Sequence, residues 1–242
     1  MAANVSSPAE STRLPGAVEA AFRVFEKDIH IELRTREIVT TAGFFAVLVA
    51  TLASFSFYTG ADQGARIAPG AMWLSIAFSS VLALARTWQR EREDGALVAL
   101  LISPIPRSSI FLGKALGVFA FITAIECIVV PVVSLLFHID LIGPHGVLAP
   151  LLPILLLGTL GVAATGTLFG AMTVRTRARD LVLASVLFPL LSPTLLSGVV
   201  ATRELMGGAS FAELYDYILL LTAFDAIAVL GGIGLFGPLM GD

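Results

Sequence analysis

Charged residues are scarce in this 242-residue chain: Asp, Glu, Lys and Arg make up only 14% of it, and 57% of the residues are hydrophobic. Soluble globular proteins carry about 25% charged residues, because a folded monomer needs them on its surface. The mean hydropathy is +0.91. This composition excludes an ordinary soluble domain.

Several chemical signatures are also missing. The single cysteine, Cys127, cannot form an intramolecular disulfide, and a net charge of −3 without a basic block gives no sign of nucleic-acid binding. No H-E-x-x-H, C-x-x-C or G-x-S-x-G motif is present, so no catalytic or metal-ligating set is predicted. The nearest approach to a phosphate-binding loop, Ser108–Ala115, lacks the first glycine and the final hydroxyl. The chain is therefore predicted not to be an enzyme, and any ATP hydrolysis would come from a separate subunit.

Six long apolar runs are what the sequence does contain. Each is long enough to cross a hydrocarbon core of ~30 Å as a helix, and none alternates in the way that a membrane β-strand would. The prediction is an all-α polytopic membrane protein with six transmembrane helices. The runs are Ile38–Tyr58, Ile67–Ala85, Ala115–Phe137, Val147–Val174, Leu181–Ala201 and Tyr217–Gly237.

Lysine and arginine are distributed unevenly between the connections. Of the 15 basic residues, 13 lie before the first run, between the second and third, or between the fourth and fifth, and the other two are Arg66 and Arg203. Cytoplasmic loops are the ones enriched in Lys and Arg. The sequence therefore predicts that both termini are cytoplasmic.

The segment before the first run is amphipathic. Val18, Phe22, Phe25, Ile29 and Leu33 recur at helical spacing. Charged and polar residues occupy the opposite side: Glu19, Arg23, Glu26, Lys27, His30, Arg34 and Glu37. The pattern predicts a disordered tail over residues 1–16, an amphipathic helix in the membrane interface over 17–37 and a six-span domain over 38–242. A surface helix that packs on a partner protein is the alternative interpretation of 17–37.

The connection between the second and third runs, residues 86–114, contains a charged stretch and then a short helical pattern. Leu97, Leu100 and Leu101 follow Gly95 at helical spacing, and Pro104 and Pro106 end the pattern. A short cytoplasmic helix parallel to the membrane is predicted, suited to a groove in a partner protein. The alternative is a membrane-surface loop with a solvated charge cluster.

Residues 91–114, EREDGALVALLISPIPRSSIFLGK, resemble the signature of ABC-type exporter permeases. Arg66–Trp73 (RIAPGAMW), Ser79–Leu84 and Ser103–Pro106 are more narrowly similar to the heme exporter protein B (CcmB) family of cytochrome c maturation. Further blocks of the same similarity are Leu155–Thr159, Gly170–Val174 and Phe188–Pro193, so that the resemblance covers about residues 25–236. Ala96 stands where Thr or Ser is more usual.

The resemblance implies a dimer of six-span permeases in the inner membrane, with an interfacial N-terminal helix and a cytoplasmic coupling helix docked on a separate ATPase. Heme would be the cargo, ATP would be bound by the partner, and heme-handling membrane proteins of cytochrome c maturation would be further partners. The chain itself is expected to bind no cofactor. The residues expected to dock the ATPase are Glu91, Glu93, Asp94, Gly95, Leu97, Leu100, Leu101, Ser103, Pro104 and Pro106.

Two alternatives remain open at this point. One is the permease of a drug, lipid or polysaccharide exporter, which would have the same architecture. The other is a membrane scaffold that gates the release of a heme-loaded chaperone without moving a substrate through itself.

Four further residues attract notice because of their surroundings. Glu126 and Asp225 fall inside apolar runs, where a carboxyl group is costly and often functional. A structural, hydrogen-bonded carboxyl is the competing interpretation, favoured for Glu126. His138 and His145 flank the connection after the third run, and the sequence predicts that they are loop residues rather than axial ligands of heme.

Overall fold

The computed structural model describes residues 16–57, 64–93, 95–143, 146–173 and 179–240. Within these ranges the chain forms α-helices and one short 3₁₀ turn, Phe211–Leu214, and contains no strand. The all-α prediction is therefore confirmed. The helices are α1 Ala17–Thr35, α2 Glu37–Ser56, α3 Gly64–Glu93, α4 Ala96–Ile102, α5 Arg107–Phe137, α6 Leu148–Thr173, α7 Arg179–Met206 and α8 Tyr215–Met240.

Six helices of the described ranges, α2, α3 and α5–α8, are long and apolar enough to cross a membrane, which confirms the predicted number of spans. The connection between the second and third spans is much shorter than the predicted 86–114. Helix α3 continues to Glu93 and α5 begins at Arg107, so most of the charged stretch is helical. Arg, Glu and Gln are good helix formers, and their charges find partners on neighbouring helices, as described below.

The core of the bundle is formed where bulky side chains of α3 meet glycines of α6 and α7. The indole of Trp73 is 1% exposed and lies against Gly158 and Gly198, and its Nε1 donates a hydrogen bond of 2.9 Å to Thr202 Oγ1. Further along α6, Gly166 and Gly170 contact Leu84 and Trp88. The glycines of the fourth span thus serve packing inside the bundle.

Helix α1 lies against α5 and has three distinct faces. Ala20, Ala21, Val24, Asp28 and Glu32 are buried against the bundle. Much of the predicted apolar stripe is exposed instead, including Val18, Phe22 and Leu33. The predicted polar residues Glu19, Arg23, Glu26, His30 and Arg34 form the third, exposed face. Periodicity therefore located the helix, but the fully buried face lies between the two predicted stripes, with Ile29 of the apolar stripe and Lys27 of the polar stripe at its edges.

A sharp corner joins α1 to α2. Arg36 adopts the left-handed conformation, with φ 54° and ψ 21°, and its backbone N–H donates to Glu32 O. The Glu32 carboxylate accepts a hydrogen bond of 2.9 Å from the N–H of Val39 in the first turn of α2. Because the first N–H groups of a helix have no partner within it, Glu32 caps α2 as well as ending α1.

Candidate coupling site

Helix α4, between the second and third spans, is the short helix that the sequence predicts. Gly95 precedes it with φ 63°, a left-handed conformation that glycine adopts without strain. At its other end the Ser103 hydroxyl donates a hydrogen bond of 2.6 Å to Leu100 O. Ser103 is extended, and Pro106 immediately precedes the first residue of α5.

The faces of α4 differ from the expected ones. Leu100 and Leu101, together with Ile105, pack against a buried cluster that includes Trp88 and Phe111. Ile102 is instead 78% exposed, and the sequence prediction did not include it. The two leucines therefore hold α4 on the bundle, whereas Ile102 is available to a partner.

The other predicted docking residues divide into three groups. Glu93, Gly95, Pro104 and Pro106 are exposed close to Ile102 in the chain, and Ser103 is half-buried. Asp94 lies outside the described residues, as does the side chain of Leu97. Glu91 is buried to 3% exposure and is already paired, so it cannot belong to an exposed docking surface.

Glu91 belongs to a network of four charges, three of them buried and Lys27 half-buried, that joins three helices. It accepts hydrogen bonds from Lys114 of α5 and, at 2.8 Å, from Lys27 of α1. Lys114 Nζ, in a residue only 1% exposed, also lies 2.9 and 2.7 Å from the two carboxylate oxygens of Asp28. Lys27 Nζ completes the network 3.2 Å from Asp28 Oδ1. Two cations and two anions balance, as buried charges must to avoid a large desolvation cost.

The charge state of Lys27 is fixed by this network. Burial acts to lower the pKa of its ammonium group, but Asp28 and Glu91 outweigh burial and the net pKa is raised above 10.5. A raised folded-state pKa gives stability that is fully present below the unfolded value and is lost as the pH rises through the folded one. Lys27 therefore stays charged at neutral pH, and its pairing weakens only in strongly alkaline solution.

Gly113 of α5 allows α1 to approach closely enough for these contacts, whereas Gly117 would leave an added Cβ in ordinary van der Waals contact with Asp28. A Cβ at Gly113 would lie 2.5 Å from the backbone oxygen of Ala21 and 2.6 Å from Val24 Cβ. A Cβ at Gly117 would lie 3.4 Å from Asp28 Oδ2. The Gly113–Lys114 pair at the end of residues 91–114 thus has a structural role. Gly113 leaves room for α1, and Lys114 pairs with Asp28 of α1.

A second group of ion pairs lies nearer to the surface. Arg90 of α3 is 3.4 Å from Glu32 and 3.5 Å from Glu37, and Arg86 is 3.5 Å from Glu37. Glu37 is half-exposed, so its pairs are weak, whereas Glu32 is buried. The predicted alternative of a solvated charge cluster therefore fails for the inner charges of this stretch and holds only for the outer ones.

The sequence prediction missed Asp28, Lys114 and Ile102, although a signal existed for the first two. Glu91 and Lys114 are opposite charges at the two ends of one short string. Asp28 and Glu32 are spaced four apart on α1 and lie on neither of its predicted stripes. Acidic residues on a third face of an interfacial helix indicate a contact with protein.

Glu126 lies about three helical turns beyond Lys114 on α5, away from the network. It accepts a hydrogen bond from the Thr159 hydroxyl of α6, as expected for a structural carboxyl. Glu126 and Cys127 also line a cleft of about 280 Å³ between α5 and α6, whose other walls are mostly apolar. The cleft ends at Leu141 and Ile142, beyond the end of α5.

Asp225 of α8 is 4% exposed and lies against Gly161 of α6, close to the Thr194 hydroxyl of α7. Neither of its carboxyl oxygens has a hydrogen-bond partner among the described residues. The structure does not bring Asp225 to the four-charge network.

Of the two histidines considered for heme, the structure describes only His138. His138 is exposed after the end of α5, in a left-handed conformation with φ 57°, and His145 lies outside the described residues. Within the described ranges, no group of three His, Cys, Asp or Glu side chains is placed to hold a metal ion.

Comparison with known proteins identifies relatives along most of the chain. The family model described as CcmB protein matches residues 19–233. Heme exporter protein B of Paracoccus denitrificans is 33% identical over 165 residues, which cover 68% of this chain and 74% of that protein. The protein of the same name from Bradyrhizobium diazoefficiens is 26% identical over 205 residues, 84% of this chain and 90% of the relative. That of Pseudomonas aeruginosa is 27% identical over 198 residues, 81% and 84% of the two chains.

Proposed function

Since this chain belongs to the CcmB protein family, we propose that it is the permease subunit of an ATP-driven complex for heme export or delivery in cytochrome c maturation. The six membrane-spanning helices make it a multi-pass membrane protein. Its relatives along most of the chain are heme exporter B proteins. The sequence contains no phosphate-binding loop. A separate subunit therefore supplies ATP hydrolysis, and this chain couples that energy to heme handling.

The coupling role is supported above all by the exposed apolar surface of α4. A seven-residue helix between two spans presents Ile102 outward and is held from behind by Leu100 and Leu101. Large exposed apolar side chains at the centre of a small surface are typical anchors of a protein interface. We assign Glu93, Gly95, Ile102, Pro104 and Pro106 to the ATPase-docking surface, with Asp94 and Leu97 as further members from the sequence prediction.

The arrangement in the membrane follows from the same proposal. Docking to a cytoplasmic ATPase requires α4 in the cytoplasm, which places both termini there and agrees with the distribution of Lys and Arg. The exposed stripe with Val18, Phe22 and Leu33 then lies in the membrane interface. A second copy of the chain in the inner membrane completes the permease, and the other partners are heme-handling maturation proteins.

The generic exporter of drugs, lipids or polysaccharides is not favoured, because the family match extends over residues 19–233 and the relatives are heme exporters. Within the heme system, a gate for a heme-loaded chaperone remains the second candidate. Heme that stays with the purified complex until ATP is added supports transport. Heme that is found only on a partner protein supports gating.

The docking assignment is tested by placing a charge on the exposed isoleucine of α4. We expect Ile102→Asp to abolish co-purification of the ATPase and the maturation of a c-type cytochrome, while the permease still accumulates in the membrane. The reason is that a desolvated carboxylate without a partner costs several kcal/mol at an interface. The measurement is a pull-down of the ATPase on the tagged permease, with cytochrome yield as the second readout.

Ile142 provides the matched control, because it is 84% exposed in the connection after α5, at the other end of the third span. Ile142→Asp should leave the recovery of the ATPase unchanged. If Ile102→Asp also leaves it unchanged, α4 is not the docking helix.

A further inference from the structure

The four-charge network consists of Lys27, Asp28, Glu91 and Lys114. Two of its members, Glu91 and Lys114, lie before and after α4 in the sequence. Glu91 lies about one helical turn before Gly95, and Lys114 lies about two turns after Pro106. These two residues pair with each other, so that the cytoplasmic ends of α3 and α5, which precede and follow the docking helix in the chain, are tied together.

The same network ties α1 to this pair of helix ends. Both Lys114 and Lys27 contact Asp28, and Lys27 also contacts Glu91. Arg90 and Glu32 add a second contact between α3 and α1. Breaking one partner of a buried charge pair leaves an uncompensated charge, so these helices cannot easily separate.

We propose that Asp28, Glu91 and Lys114 are positioning residues of energy coupling, which make α1, α4 and the cytoplasmic ends of α3 and α5 move as a single unit. This inference rests on the proposed function, because the motion originates in the ATPase bound at α4. A displacement of α4 then reaches α1 through the charged contacts of α3 and α5, and through α1 it reaches the corner that begins the first span at Glu37.

The alternative is that the network only stabilises the fold. The two roles differ in one respect. Disrupting a purely structural network lowers the amount of complex, and every activity falls in proportion to that amount. Disrupting a coupling network leaves the complex able to form and to hydrolyse ATP, but hydrolysis no longer drives heme delivery.

The first test is Asp28→Asn, which keeps the shape of the side chain and removes its charge, in the complex of the full chain with its ATPase. Removing this charge lowers stability, so ATP hydrolysis and cytochrome yield are compared per recovered complex, and we expect hydrolysis per complex within about twofold of the wild type. Cytochrome yield should fall about tenfold or more. The matched control is Glu19→Gln, which breaks the exposed Arg23–Glu19 pair on the same helix and should change nothing.

The second test measures whether α1 follows α4. In a Cys127→Ser background, spin labels at Glu26→Cys on α1 and Ala99→Cys on α4 occupy exposed positions. The distance between the two labels should be narrowly distributed and unchanged by an ATP analogue. With Asp28→Asn added, the analogue should shift or broaden it.

A charge exchange makes the proposal independent of how well Asp28→Asn folds. Lys27→Glu, Asp28→Lys, Glu91→Lys and Lys114→Glu together reverse all four charges, so that every contact of the network still joins opposite charges. The quadruple variant should recover cytochrome yield and the fixed label distance, relative to Lys114→Glu alone.

Three results would overturn the proposal. They are full cytochrome maturation by Asp28→Asn, a loss of maturation that only matches the loss of complex, and a wild-type label distance that changes with the analogue. Failure of the proposed function looks different, because the wild-type permease would then not capture the ATPase at all.

Discussion

At the scale of single residues, the fit between Trp73 and its neighbours shows how the bundle is closed. The indole occupies the space that side chains at Gly158 and Gly198 would need, and Thr202 accepts its N–H. A buried tryptophan without a hydrogen-bond partner would be costly, so this polar contact fixes the ring in one orientation. Three helices, α3, α6 and α7, thus meet at one side chain.

This fit predicts that Gly158→Ala destabilises the protein. The added methyl would overlap the Trp73 ring, and overpacking of this kind costs about 1–3 kcal/mol. The measurement is the thermal unfolding midpoint of the purified permease in detergent. Gly70→Ala is the control, because an added Cβ there would have no atom within 4 Å beyond its chain neighbours and its own helix backbone, and alanine favours a helix. A similar loss from both substitutions would refute the packing argument.

At the scale of elements, α4 is too short to be stable by itself. It has seven residues, and isolated helices shorter than about 12 residues are marginal in water. Its conformation therefore depends on the contact of Leu100 and Leu101 with the cluster around Trp88 and Phe111. The helix that we assign to docking is thus prepared by the bundle before a partner arrives.

We therefore expect Leu100→Ala to accelerate amide hydrogen exchange in residues 96–105, whereas Ile102→Ala leaves it unchanged. The leucine is an anchor on the bundle, and the isoleucine contacts no buried cluster of the described residues. Exchange followed by mass spectrometry on the permease alone measures this directly. Equal exchange in the two variants would mean that α4 is held by something other than its leucines.

The same elements show how far the sequence could lead. Periodicity predicted α1 and α4, since helical spacing reports which residues share a face. It could not assign the faces, because lipid and protein interior are both apolar in a membrane protein. Val18 and Phe22 of α1 are exposed for this reason, and Leu100 is turned inward while Ile102 is outward. The buried network was missed because charged residues are ordinarily expected at the surface.

At the scale of the whole molecule, six spans and their approximate positions were predictable from hydropathy. The backbone of a lipid-exposed segment must satisfy its own hydrogen bonds, which leaves helices as the solution for such apolar runs. The ends were less predictable, as the charged extension of α3 to Glu93 shows. Interhelical ion pairs of Arg86, Arg90 and Glu91, which hydropathy does not register, stabilise this extension.

Orientation is the prediction that belongs to this scale. In a Cys127→Ser background, we expect Ile142→Cys to react with a membrane-impermeant thiol reagent added outside intact cells. Ile102→Cys should react only after permeabilisation. Both positions are highly exposed, and the permease is expressed without its ATPase so that α4 is uncovered. The opposite labelling pattern would reverse the topology and remove α4 from the cytoplasm.

The four-charge network also has a consequence for biosynthesis. The partners of Lys114 lie 86 and 23 residues earlier in the chain, at Asp28 and Glu91. Because chains are made from the N-terminus, both carboxylates have left the ribosome before the lysine does. The buried cation can be neutralised as soon as the third span enters the bilayer, provided that α1 waits at the membrane surface. We therefore expect a truncation that removes α1 to impair the insertion of Lys114 rather than that of the first two spans.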